Sequence, residues 1–260
     1  MRSVSKDREI FNSLIQSIQK PEAFPADPGE LLLAVATFFL GTPFASRTLE
    51  QDDGEKLVIN LRQLDCFTLM ENSVVLARLI RAGRTTWSEF TAALQASRYR
   101  QGLQEGYASR LHYFSDWLAH NQYQGFLQDI TPALGGQPWR KKINFMTAHR
   151  DKYPGLRSSD TYRRLLEVER TCSARSYHHI PKADLPARSE NIKNGDLIAI
   201  TTALEGLDVV HVGIAVHLTR GLHFLHASQR SGKVIISEAT IYRYLRQRKA
   251  RLGIMVARVL

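Results

Sequence analysis

Cysteine is scarce in this chain: only Cys66 and Cys172 occur in 260 residues. Two thiols cannot build a disulfide framework or a thiolate zinc site, although one disulfide in an oxidising compartment stays open. No His-x-x-x-His or Cys-x-x-Cys spacing occurs, so we expect neither a metal nor a cofactor. Long apolar runs are also missing. The best candidate, residues 31–40, lies between Glu30 and Pro43 and is too short to span a bilayer, so it reads as a buried helix rather than a transmembrane segment. The first residues, from Met1 to Glu9, lack the apolar centre of a secretory signal, which implies another export route, a signal absent from this N-terminus, or no export. Internal repeats and low-complexity segments are absent.

Acidic residues fall short of basic ones, 25 against 35, for a formal charge of +10 and a pI near 9.8. Such a balance attracts polyanions, whether nucleic acid, anionic lipid or cell-wall polymer, and fits an undedicated basic surface equally well. The basic residues are scattered and no groove-reading motif accompanies them, so nucleic acid is not an expected partner. Even the run Arg243, Arg246, Arg248, Lys249 and Arg251 reads first as a solvated face. What the chain does have is 43% hydrophobic content, enough for a sizeable core. Its length is long for one domain and short for two, which predicts a single unit (1–260) with a large insertion.

Apolar spacing predicts a helix over 7–19, closed by Pro21 and Pro25, and a second from Asp27 or Pro28 to about residue 40. Gly41-Thr42-Pro43-Phe44 breaks it, the polar stretch 51–54 makes a turn, and 57–61 is a short extended or irregular approach to Cys66. A helix then runs from Cys66 to just before Gly83, and Thr86 or Ser88 caps the next. Residues 101–188 carry mixed signals: helix over 107–120, another from Ser158 or Asp160 through 169, and the basic aromatic segment Trp139-Arg140-Lys141-Lys142 between them. We read 101–188 as a helical insertion that shapes a cleft, the alternative being a helical cap that buries the back of the sheet. From 195 to 258 the pattern is β, with strands over 197–201, 209–216, 221–226, 234–237 and 252–258. Helices first and an antiparallel sheet afterwards is an α+β pattern.

Cys66 follows the turn-prone Asp65 and opens an apolar helical run, where first-turn amides favour a thiolate. His211 and His226 lie in runs that read as neighbouring strands. This is the set a cysteine hydrolase needs: a nucleophile, an imidazole to take its proton and return it to the leaving amine, and a second polar group to hold that ring. Backbone amides near Cys66 would meet the oxyanion. His223 is a poorer third member, since alternation puts it on the other face from His226. His178, His179 and His217 read as surface residues, and Cys172 has no histidine motif around it. Taken singly, a half-buried cysteine or a strand histidine is more often structural.

The segments Gly195-Asp196-Leu197-Ile198, His211-Val212-Gly213-Ile214-Ala215-Val216, Phe224-Leu225-His226-Ala227-Ser228 and Val234-Ile235-Ile236-Ser237, together with Asp65-Cys66, resemble the NlpC-type cell-wall peptidases. Gly41-Thr42-Pro43, the stretch 57–61, Asp65-Cys66-x-Thr68-x-x-Glu71 and the large insertion are closer still to the NlpC-like N-acetylmuramoyl-L-alanine amidases. The resemblance covers residues 41–71 and the final third of the chain. It implies a papain-like α+β fold and hydrolysis of the amide between the muramic acid lactyl group and L-Ala in anhydro-muropeptides or peptidoglycan fragments. It further implies Cys66 as nucleophile, His211 as base and His226 as the orienting residue. Two departures stand near the motif: the family's usual Tyr after Gly-x-Pro is Phe44, and Phe67 follows the nucleophile where smaller or polar residues are common. Asp65, Phe67, Glu71 and Trp139 are the further candidates for substrate contact, with a structural role for Glu71 equally open. The rival readings are an endopeptidase cutting D-Glu from the diamino acid of the stem peptide, and a non-catalytic wall-binding protein. A peptidoglycan substrate places the expected site of action in the bacterial periplasm or cell envelope, with the cytoplasm the weaker alternative.

Overall fold

The computed structural model describes residues 2–18, 25–50 and 54–260. Helix α1 (Arg2–Ile18) starts five residues before its expected position; Pro21 and positions 51–53 of the expected turn lie outside the described residues. Helix α2 (Pro28–Phe38) opens as expected, because the Asp27 carboxylate accepts the Gly29 and Glu30 amides at 2.8 and 3.1 Å and Pro28 suits a first turn. Gly41, at φ 84°, turns the chain out of it. Residues 55–60 run without regular structure toward α3 (Cys66–Arg81). After it, α4 (Trp87–Arg98) starts on a reciprocal capping box of Thr86 and Glu89.

The chain between 101 and 188 differs from the expected helical insertion. Tyr107–Ser109 is a single 3-10 turn, and α5 (Phe114–Tyr123) begins only after Arg110 has bridged to Tyr99. There follow β1 (Leu127–Asp129), β2 (Gln137–Trp139), α6 (Phe145–Ala148), α7 (Ser159–Ala174), β3 (Tyr177–Pro181) and α8 (Leu185–Arg188). The last part holds β4 (Leu197–Thr202), β5 (Val209–Leu218), β6 (Gly221–Ser228), β7 (Lys233–Ile236), an unexpected short helix α9 (Ile241–Arg246), and β8 (Arg251–Val259). The strands form one antiparallel sheet in the order β2-β3-β8-β4-β5-β6-β7, with β1 also on β8. The insertion is therefore corrected to a mixed segment that completes the sheet. Strand β4 satisfies one edge of β8; β1 and β3 cover the other, which would otherwise expose a row of unpaired backbone groups. The molecule is α+β with an antiparallel sheet.

Both faces of the sheet are buried, which explains why β4 is buried throughout and apolar from Leu197 to Ile200. On one face Val212, Ile214, Leu225, Ala227, Met255 and Ala257 meet the buried stripe of α2 and α3, including Leu31, Val35, Leu69, Met70 and Val74. On the other, Ile198, Ile200, Ala215, Phe224, Ile254 and Val256 meet Ile180, Leu185, Ile241 and Leu245. Helix α3 is thereby held against β5 and β6. Among the described residues no helix is long and apolar enough to cross a membrane.

Candidate active site

Helix α3 begins at Cys66 for a local reason. The Asp65 carboxylate accepts the Thr68 amide at 2.7 Å while the Thr68 hydroxyl accepts the Asp65 amide at 3.0 Å, so two otherwise unpaired donors are satisfied reciprocally. Asp65 is thus the cap of the helix that carries Cys66. The Cys66 side chain is half-buried against the core that α3 shares with the sheet. Burial, and then the neighbouring Asp65 charge, push its thiol up to about 12, against the pull of the Val212, Cys66 and Phe67 backbone amides toward thiolate. The Val212 contribution places the sulfur beside β5, one residue from His211.

The two strand histidines meet. His211 Nε2 and His226 Nδ1 are 2.6 Å apart, with their rings perpendicular and 4.8 Å between centroids. The β5–β6 register brings this about. Ile214 pairs with Leu225, so the next step sets Gly213 opposite His226 and leaves His211 diagonally within reach. Phe224 stacks flat on His226 at 4.2 Å and meets His211 edge-on, and Tyr244 of α9 lies over His211 at 6.2 Å. His223 points the other way and bonds the Ser237 carbonyl through Nδ1 at 2.7 Å.

His211 and His226 wall a cleft of about 650 Å³, together with Tyr244, Arg248, Arg251, Ser228, Arg230 and Glu238 among others. Cys66 is not itself a wall residue, but Tyr244 links it to the cleft: burial raises the Tyr244 phenol, Arg251 opposes this, and an ionised Cys66 raises it further. Both imidazoles are held neutral. Burial first, then His226 and Arg251, depress His211 to about 3; burial and Arg251 depress His226 to about 4. Burial thus disfavours charge on the Cys66 thiol and on both imidazoles alike.

Other sequence candidates sit elsewhere. Glu71 has no exposed surface: its Oε2 accepts from Arg98 Nη2 and Nε at 2.6 and 2.9 Å, while Arg98 Nη1 donates to the Val58 carbonyl. This pair ties α3 and α4 to the approach to Cys66, so substrate contact by Glu71 is corrected to a core ion pair. Phe67 packs edge-on against Trp117 of α5 at 5.6 Å. Trp139 lies on β2, stacked on His179 at 5.4 Å, which makes His179 half-buried rather than a free surface residue. No wall residue of the cleft comes from 101–188. The insertion reaches the rim through Lys141, whose Nζ donates to the Thr202 and Leu204 carbonyls. Sequence reasoning missed Tyr244; its signal was the Ile241–Leu245 spacing after the capping residue Thr240. Among the described residues no group of three or more His, Cys, Asp or Glu is placed to hold a metal ion.

The AmiA-like family, described as N-acetylmuramoyl-L-alanine amidase-like, matches residues 34–254. An N-acetylmuramoyl-L-alanine amidase from Bacteroides uniformis superposes with a TM-score of 0.85 at 37% identity, covering 90% of this chain and 99% of that one. A Bacteroides fragilis protein described as a putative xylanase gives 0.82 at 38% identity, over 86% and 98% of the two chains. A Legionella pneumophila protein at 21% identity and TM-score 0.73, covering 99% and 97%, shares the fold. No curated protein matches the sequence. With a family model spanning most of its length and relatives that it covers almost end to end, the chain belongs to the AmiA-like, N-acetylmuramoyl-L-alanine amidase-like family.

Proposed function

We propose that the protein is a papain-like, NlpC-type cysteine amidase that cleaves the bond between the muramic acid lactyl group and L-Ala in peptidoglycan fragments. The observation that carries this reading is the 2.6 Å His211–His226 hydrogen bond, one residue along β5 from the amide that flanks Cys66. With His211 Nε2–H donating to His226 Nδ1, the Nδ1 lone pair of His211 is free to take the thiol proton. Sulfur attacks the lactyl carbonyl carbon, and the carbonyl oxygen becomes an oxyanion that first-turn amides of α3 receive. The His211 imidazolium then protonates the alanine nitrogen. The C–N bond breaks, a thioester remains, and water activated by His211 hydrolyses it. Family membership and the relative named as an amidase support the choice of bond. The relative described as a xylanase does not favour glycoside hydrolysis here. That chemistry uses paired carboxyl groups, and Glu238 is the single carboxylate among the cleft's wall residues. A peptidoglycan-fragment substrate favours the bacterial periplasm or cell envelope over the cytoplasm as the site of action.

Mass spectrometry of anhydro-muramyl tripeptide after digestion tests the reading. Free anhydro-sugar acid plus intact tripeptide is expected, and Cys66→Ala should yield neither. A sugar still bearing L-Ala-D-Glu would mean endopeptidase cleavage, and undiminished turnover by Cys66→Ala would remove the cysteine mechanism.

A further inference from the structure

The basic residues gathered at the cleft are unevenly balanced. Arg230, Arg248 and Arg251 line it against one carboxylate, Glu238, and none of the three forms an ion pair with it. Arg251 is the most constrained. Its Cζ lies 3.8 Å over the Tyr244 ring and its Nη1 donates to the Tyr244 carbonyl. The guanidinium is therefore fixed on the aromatic ring that also stacks over His211. It is half-buried at the base of β8, and no carboxylate of the described residues answers it. Other covered guanidinium groups have a carboxylate, Arg98 with Glu71, Arg110 with Glu50 and Arg258 with Asp196 in a two-pronged contact, while Arg78 lies over the Phe126 ring, away from the cleft.

A partly dehydrated, oriented guanidinium without a counter-ion, aimed into a cleft, is built to receive an anion. Its planar fork matches a carboxylate, and Tyr244 has already removed much of the rotamer freedom that binding would cost. Resting on the amidase reading, we propose that Arg251, assisted by Arg248 at the rim, is the specificity residue for a free carboxylate of the substrate's peptide part. Docking that carboxylate beside Tyr244 would set the scissile amide against the His211–His226 pair, so the enzyme selects acidic short peptides over their amidated forms. The sugar need not touch Arg251. Arg230, an exposed residue of the cleft lining, steers the anion at longer range.

The test compares anhydro-muramyl-L-alanyl-D-glutamate with the same compound after its carboxylates are converted to carboxamides. A charge-assisted contact at this site predicts that the wild-type enzyme favours the acid by about 10- to 100-fold in kcat/KM, mainly through KM. Arg251→Gln should lose most of that preference, the acid falling much further than the amide, and Arg248→Gln should lose a smaller part. A merely structural Arg251, holding Tyr244 in place, would instead depress both compounds equally, and that result overturns the proposal. Equal use of acid and amide by the wild type also overturns it, whatever the variants do and even where Arg251→Gln fails to fold. Calorimetric titration of both compounds into the Cys66→Ala protein reads the same preference without turnover. The two readings fail separately: cleavage that survives Cys66→Ala sinks the amidase mechanism, whereas equal binding of acid and amide sinks the carboxylate site alone.

Discussion

Replacing Gly213 by alanine should disable the histidine pair while leaving its two rings in the protein. Gly213 stands opposite His226, and a Cβ built there would lie 2.6 Å from Phe224 Cδ2, 2.8 Å from the Leu225 carbonyl oxygen and 3.2 Å from His226 Cβ. Ordinary contact begins near 3.4 Å, so the Phe224 ring must give way by roughly 0.8 Å. Phe224 stacks on His226, so a displaced Phe224 carries the His226 ring with it. Overpacking of this kind costs about 1–3 kcal/mol of stability, which at about 2–4 °C per kcal/mol for a chain approaching this size lowers Tm by about 2–12 °C. Catalysis should suffer more. The 2.6 Å His211–His226 bond tolerates little displacement, and a misplacement approaching 1 Å lowers kcat by about 10²-fold. Steady-state kinetics on anhydro-muramyl tripeptide alongside thermal melts would read both effects. A folded Gly213→Ala protein with wild-type kcat would refute the argument that His226 positions His211. Loss confined to KM would do the same.

Cys66→Ala should abolish turnover, whereas Cys172→Ala, a free thiol buried in α7, should lose some stability and keep its activity; equal losses in kinetics would point away from Cys66. Glu71→Ala strands the Arg98 guanidinium, whose side chain is 2% exposed, and should cost about 3–5 kcal/mol. That corresponds to a Tm lower by about 6–20 °C, partly restored by adding Arg98→Leu, and an unchanged Tm with a raised KM would return Glu71 to substrate binding. Because His211 and His226 resist protonation in the folded state, the unfolded chain binds more protons between pH 6.5 and about 3, and stability should fall through that window as the solution is acidified. Cys66 keeps its proton when folded, up to about 12 against 9.0 for an unperturbed thiol, so stability should also decline as pH rises above 9. Melting curves across pH would show both flanks. For the same reason, iodoacetamide labelling of Cys66 should climb steadily into alkaline solution, and a plateau near neutral pH would indicate a preformed thiolate instead.

Much of the backbone was legible because it follows local rules. Asp27, Asp65 and Thr86 each announce a helix start through a side chain that satisfies first-turn amides. The runs around His211 and His226 alternate as strands do, and alternation alone separated His226 from His223, which the fold turns toward Ser237. Other features belong to no local pattern. Strands β1, β2 and β3 are three to five residues long, and they exist because β8 and then β3 offer them an edge, a partner far away along the chain. Glu71 stands one helix turn beyond Phe67 and reads from sequence as a polar residue near the nucleophile. Only the packing of α4 brings Arg98 to it, 27 positions on, and closes the pair off from solvent. The basic run from Arg243 to Arg251 likewise reads as a solvated face until α9 and β8 fold Arg251 onto Tyr244 and aim it into the cleft. Sequence determined which residues could carry charge, protons or a thiol. Tertiary structure decided which were desolvated and which faced one another, because burial and long-range pairing depend on elements that only the completed sheet brings together.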